Sequence, residues 1–147
     1  LDPPGRRTVW ELIRAIRARG KTILLSTHLM EEAEALCDRV AVFHRGRIVA
    51  LDSPSRLIAR TVGNLLVTLR IPDGSPVPPL SAIPGVRGVE HRDETSTVYA
   101  EDDRAVAAVV QRLVEQGTPL RELRVSSGRL EDAYLTLTGT PLVREES

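Results

Sequence analysis

His28 stands just beyond a short, largely apolar run, Thr22 to Leu25, separated from it by Ser26 and Thr27. Such a continuous run fits a strand of a parallel sheet that is covered on both faces. Open α/β sheets bind their ligands outside the carboxyl ends of the strands. An imidazole N–H at that point can donate to a phosphate oxygen, which carries charge throughout group transfer. A strand-end histidine can equally be satisfied by nearby backbone, and the ring and its position alone leave both readings open.

Other residue types invite chemistry and withhold it. Glu31, Glu32 and Glu34 are grouped, but helix neighbours at adjacent positions do not converge on one ion. They read instead as a solvated face whose charge complements the start of a helix. His44 and His91 fall in strands near turns without matching ligands, so no metal site is expected. Asp2, ahead of Pro3 and Pro4, reads by itself as a turn residue. Gly20-Lys21-Thr22 imitates the end of a phosphate-binding loop. However, Ala15 stands where the earlier glycine belongs, and a helix precedes the motif while a strand follows it, the reverse of the required order. Ser127-Gly128 opens the last helix and is not a nucleotide-binding signature.

The elements that must position these groups follow from periodicity. Val9, Leu12, Ile13 and Ile16 share one helix face, with Pro3 and Pro4 before the helix and Gly20 after it. A second helix spans Leu29 to Cys37. Val40 to Phe43 and Ile48 to Leu51 form a hairpin across Arg45-Gly46. Ser53 caps a short helix that opens with Pro54. The texture changes near Gly63-Asn64. Beyond it come a strand from Leu65 to Ile71 and a loop from Pro72 to Pro84 that holds five prolines. Strands follow at Val86 to His91 and Thr97 to Glu101, then a helix around Val106 to Leu113, a strand from Leu120 to Ser126, and a helix from Leu130 to Leu137. This order approximates a ferredoxin-like sandwich whose first helix is replaced by the proline-rich loop. The first half is one α/β piece of a larger sheet. Its single parallel strand lacks partners, so residues 1 to 60 are expected to be poorly stable, with apolar surface bare.

Composition narrows the class. The chain has 147 residues, enough for one ordinary domain or two small ones. Its 20 basic and 20 acidic side chains cancel, which argues against a nucleic-acid binder held by phosphate contacts. Lys21 is the one lysine, the other basic residues being arginine, a balance that reflects codon usage rather than phosphate recognition. Cys37 is the one cysteine, so no internal disulfide forms, a reducing compartment is expected, and the thiol reads as a small core residue. No apolar run approaches the roughly 20 residues of a membrane span. There is no signal peptide or initiator methionine, and Leu1-Asp2-Pro3 reads as the middle of a longer chain.

Taken in order and spacing, Leu1-Asp2-Pro3, Gly5-Arg6-Arg7, Trp10-Glu11, Gly20-Lys21-Thr22, Ser26-Thr27-His28, Glu31-Glu32-Ala33-Glu34, Cys37-Asp38-Arg39, Gly46-Arg47-Ile48 and Ser53-Pro54 resemble the last third of an ABC-transporter nucleotide-binding domain. The resemblance covers residues 1 to about 60 and is nearest to the drug-export branch, similar to daunorubicin-resistance ATP-binding proteins. Members of that branch carry a C-terminal extension ending in a helix like Leu130-Glu131-Asp132-Ala133-Tyr134-Leu135.

The resemblance implies a fold and a set of roles. Residues 1–62 are the end of a P-loop-type parallel-sheet domain, 63–140 a small α+β ferredoxin-like extension, and 141–147 a tail. His28 is the switch histidine that senses the ATP γ-phosphate, and Asp2 the D-loop aspartate that meets a partner subunit across the nucleotide. The full-length protein uses ATP and Mg²⁺, forms a homodimer of nucleotide-binding subunits, and drives export of drugs or other small molecules through a membrane permease. It lies on the cytoplasmic face of the membrane. The phosphate-binding loop, the Q-loop, the signature motif and the acidic pair that holds Mg²⁺ precede this stretch in the family and are absent from these residues. Alone, the chain is expected neither to hydrolyse ATP nor to bind it tighter than millimolar, about −4 kcal/mol. The alternative is a non-enzymatic regulatory or dimerisation module over Leu65 to Gly139, attached to a vestigial ATPase remnant.

Overall fold

The computed structural model describes residues 3–139. Helix α1 (Pro3–Ala18) is followed by an extended segment, α2 (Met30–Leu36), the hairpin β1 (Val40–His44) and β2 (Arg47–Asp52), and α3 (Pro54–Thr61). Then come β3 (Leu65–Arg70), β4 (Val86–Arg92), β5 (Thr95–Ala100), α4 (Asp103–Glu115), β6 (Glu122–Ser127) and α5 (Leu130–Leu137).

Local chemistry sets several of these boundaries. Arg45 and Gly46 both take positive φ, 51° and 75°, the backbone that a two-residue hairpin turn requires. Ser53 caps α3 by accepting a hydrogen bond from the Arg56 N–H at 3.3 Å, with Pro54 at the first helical position. Asp102 does the same for α4, accepting from the Ala105 N–H at 3.0 Å. Pro3 and Pro4 lie inside the first turn of α1 rather than ahead of it. A proline is tolerated there because first-turn N–H groups have no intrahelical acceptor.

The strand expected at Thr22 to Leu25 does not form. Residues 21–27 belong to neither strand nor helix, and every strand pairing among the described residues is antiparallel. A strand exists only when a neighbour about 4.8 Å away completes its ladder, and none of the described strands lies beside this segment. Ile23 and Leu24 are accordingly exposed, Leu24 at 97%, while Leu25 is half-buried. Helix α1 buries no residue, and Val9, Leu12 and Ile16 of its apolar face are exposed. Polar contacts attach it to α2 instead.

The four-stranded sheet has the order β4-β5-β3-β6. Strands β3 and β4 flank β5 antiparallel to it, so they run parallel to each other with one strand between them. This is the split β-α-β arrangement of a ferredoxin-like sandwich, with residues 71–85 in the place of the first helix. Val89, Val98, Val67 and Val125 lie in one row across the sheet. The first three are buried against Val109 and Leu113 of α4. Leu80 and Ile83 complete that core, so the proline-rich stretch covers the sheet as the missing helix would.

The second core crosses the chain. Ala33 of α2, Val42 and Ala50 of the hairpin, and Leu57 and Ile58 of α3 join Val62, Tyr99 of β5, and Leu130 and Ala133 of α5 in one cluster. The last helix therefore seals the interior of the first half. The chain passes closely where the halves meet: a Cβ on Gly128 would sit 2.4 Å from the Gly63 carbonyl oxygen, and one on Gly63 2.6 Å from that of Ala100. Gly63 also takes φ 90°. Both positions thus need glycine for backbone approach, and Gly128 serves packing rather than nucleotide.

Leu130→Ala empties a fully buried position shared by both halves. It should cost about 2–5 kcal/mol in denaturant unfolding, in one cooperative transition. Backbone amides of residues 21–27 should exchange with solvent far faster than those of β3, as hydrogen-exchange mass spectrometry reads directly.

Candidate functional site

His28 lies in the bend between the unpaired segment and α2. The Thr27 hydroxyl accepts a hydrogen bond from the Leu29 N–H at 3.0 Å, which fixes the chain direction around His28. The Leu29 carbonyl then accepts from the N–H groups of Glu32 and Ala33, starting α2. The imidazole is exposed, and no described residue hydrogen-bonds its ring.

His28 borders an open cleft of about 230 Å³, lined also by Arg6 and Trp10 of α1, by Leu29, Met30, Glu31 and Glu32, and by Glu131 of α5. A ladder of contacts sets the width of this cleft. Arg6 pairs with Glu31 at 3.8 Å, and the Trp10 indole N–H donates to Glu32 at 3.3 Å. Arg14 lies 5.9 Å from the centroid of the Trp10 ring and donates to the Ala35 carbonyl, and Arg17 pairs with Asp38. These four α1 residues follow the helical repeat, so the polar stripe of α1 faces α2 while its apolar stripe faces outward. In the cleft one guanidinium meets three carboxylates. That balance opposes a phosphate on this side of His28.

The three glutamates of α2 separate as their spacing suggested, but they are not simply a solvated face. Glu31 turns to Arg6, Glu32 is half-buried under Trp10, and Glu34 accepts a hydrogen bond from the Leu130 N–H at 3.2 Å. Glu34 thereby takes up an N–H of the first turn of α5, which Arg129 leaves without a side-chain cap. The Trp10 and Leu130 contacts had no signal in the sequence, because they join residues 22 and 96 positions apart.

Among the described residues no three His, Cys, Asp or Glu side chains are placed to hold a metal ion. His91 Nδ1 lies 2.7 Å from the buried Ser96 hydroxyl, and His44 stays in the hairpin beside Arg47. Cys37 packs at the edge of the crossing core, and its thiol is pushed up first by burial, then by Asp38 and Glu32. At Gly20-Lys21-Thr22 a helix ends in a turn, Gly20 at φ 83°. Asp2 and residues 140–147 lie outside the described residues.

Carboxylates also gather where α5 crosses the sheet. Burial raises the Asp132 carboxyl above the usual range, helped by Glu131, Glu90 and Glu34 and opposed by Arg129. Burial likewise drives the Tyr99 hydroxyl well up, as do the charges of Asp132 and Glu90, and Tyr99 lies 3.4 Å from Glu90 as a donor.

No protein-family model matches the chain. Curated relatives do, over nearly all of it. It is 41% identical over 140 residues to the Nod factor export ATP-binding protein I of Mesorhizobium japonicum, covering 95% of this chain and 39% of that protein. The protein of the same name from Paraburkholderia xenovorans is 42% identical over 140 residues, and that from Rhizobium sp. strain N33 is 44% identical over 140, each covering 95% of this chain and 44% of the relative. The chain thus spans about two-fifths of the length of the relatives it matches. The similarity runs through both the first half and the extension, and agrees with the resemblance to an export ATP-binding subunit; it does not single out the drug-export branch. No described helix is long and apolar enough to cross a membrane.

The carboxylate cluster has a consequence for stability. A raised native pKa means that ionising Asp132 costs stability, a cost absent below the unfolded value of about 3.9 and growing as pH rises through the native value. Asp132→Asn removes it. Thermal unfolding of this variant should match the parent near pH 3.5 and exceed it at pH 7.

Proposed function

We propose that this chain is the C-terminal part of the ATP-binding subunit of an ABC exporter. The observation that carries this reading is the bare apolar surface of α1 and of residues 22–25. Val9, Leu12 and Ile16 line one side of a helix, and Ile23 and Leu24 stand in an extended segment with no strand beside it among the described residues. Patches of this kind mark surfaces that something else covers. The sheet of a nucleotide-binding domain is that cover: residues 22–25 join it as a parallel strand, and α1 packs on its face. The similarity to relatives more than twice as long supports the same assignment.

In this reading residues 1–62 complete the nucleotide-binding domain, residues 63–140 form the extension and residues 141–147 a tail. Joining the sheet brings His28 to a strand end, where its exposed ring donates to the γ-phosphate from the side away from Glu31, Glu32 and Glu131. Asp2 reaches the second subunit. The phosphate cradle and Mg²⁺ come from residues outside this chain, and the full-length homodimer drives a membrane permease from the inner face. The relatives act in Nod factor export by name, and the cargo class here is a small molecule, a drug being the case that the motif resemblance favours.

Calorimetry and kinetics test this jointly. The 147-residue chain should show no micromolar binding of Mg-ATP, since the cradle that supplies most contacts lies elsewhere. In the full-length protein, His28→Ala should lower kcat for ATP hydrolysis about 100-fold or more and change KM only a few-fold. Micromolar binding by the short chain, or an unimpaired His28→Ala enzyme, overturns the assignment.

A further inference from the structure

The two edges of the four-stranded sheet are built differently. Edge strand β4 carries an irregularity between Val86 and Gly88, and holds Arg87, Glu90, His91 and Arg92. Bulges and charges of this kind keep an edge from pairing further. Edge strand β6 has neither proline, glycine nor bulge, and its register with β3 is unbroken from Glu122 to Ser127. Among the described strands it pairs with β3 alone.

The register fixes which groups β6 offers outward. The Gly128 N–H donates to the Asn64 carbonyl at 2.8 Å, continuing the β3–β6 pairing by one residue. Antiparallel ladders alternate, so Glu122, Arg124 and Ser126 turn their backbone groups to β3. Leu123 and Val125 then turn theirs to the open edge. Their side chains share a face with the buried Val67 and Leu69, yet remain 37% and 45% exposed.

The pattern is self-complementary. When β6 lies antiparallel to β6 of a second copy with Leu123 opposite Leu123, the outward hydrogen bonds close at Leu123. Glu122 of each copy then faces Arg124 of the other, in the pair type where side chains come closest. The regular ladder stops at Glu122, because Arg121 is a bend whose N–H donates to the Arg70 carbonyl at 2.8 Å, so the two-fold contact is carried by residues 122–124. A two-fold contact needs a surface that matches itself in this way. Shifting the pairing by two residues places Arg124 against Arg124, so charge selects the register.

We propose that β6 is a homodimer surface that joins the two extensions into one continuous sheet. This contact needs no nucleotide and does not rest on the assignment of His28. It gives the extension a role of its own, holding two copies together.

Sedimentation equilibrium of the 147-residue chain without nucleotide tests it. The chain should form dimers. Glu122→Arg sets two arginines against each other across the axis, and Arg124→Glu sets two glutamates together. Each variant alone should dimerise roughly tenfold more weakly or worse, like charges directly opposite being unfavourable. An equimolar mixture of the two should regain the parent affinity, because the opposite charges meet again between chains although each chain has lost its own Glu122–Arg124 pair. In a Cys37→Ser background, Leu123→Cys should cross-link to itself, as the paired Cα atoms lie about 5.5 Å apart in such a ladder. A monomer at all concentrations overturns the proposal. So does association indifferent to these charges, as contact through the bare face of α1 would be, or a mixture no tighter than its components.

Discussion

The packing of α5 against α2 and α3 holds the described structure together. Leu130 and Ala133 are fully buried, and they close a cluster that also contains Ala33, Leu57, Ile58 and Val62. Without α5, the hairpin and α3 have no lid and the far face of the sheet loses the cover over Tyr99. The polar bond from Leu130 to Glu34 fixes the direction of the helix where the apolar contacts alone would allow sliding. The two glycines at the junction, Gly63 and Gly128, let the backbones approach closely enough for this packing. The helix that ends the extension is thus a structural part of the segment that carries His28.

Much of the architecture was legible in the sequence because it is encoded locally. Ser53-Pro54, Arg45-Gly46 and the alternation of Leu123 and Val125 in β6 each specify a cap, a turn or a pleat within a few residues. The order of strands around the proline-rich loop was enough to give the ferredoxin-like topology. The failures have a common cause. The run Thr22 to Leu25 has a strand's composition, but a strand is completed by its neighbour, and no described strand supplies one. Residues 72–84 have a loop's composition, and their backbone is irregular, yet Leu80 and Ile83 are core. Pattern reports local conformation and does not report what a segment packs against.

At the candidate site, the sequence singled out His28 but did not reveal the wall around it. Trp10, Arg6 and Glu131 come from separate stretches of chain, and α1 meets α2 through a polar stripe that leaves its apolar residues outward. The helix shows two faces with opposite needs. The polar face is satisfied within the chain, whereas the apolar one is not. The electrostatic balance is similarly one-sided, because Glu31, Glu32 and Glu131 share the cleft beside the histidine with the single guanidinium of Arg6.

The partnership between α2 and α5 also bears on the order of events during synthesis. Glu34 and Leu130 are 96 residues apart, so the lid over the first half is made well after the segment it covers. At translation rates of about 5–20 residues per second, α2 waits roughly 5–20 s for it, and the hairpin and α3 somewhat less. Through that interval Leu57, Ile58 and Val62 lack their final contacts, and the nascent segment is open to chaperones and proteases. A stop or frameshift within the extension would therefore harm residues far upstream that it leaves unchanged.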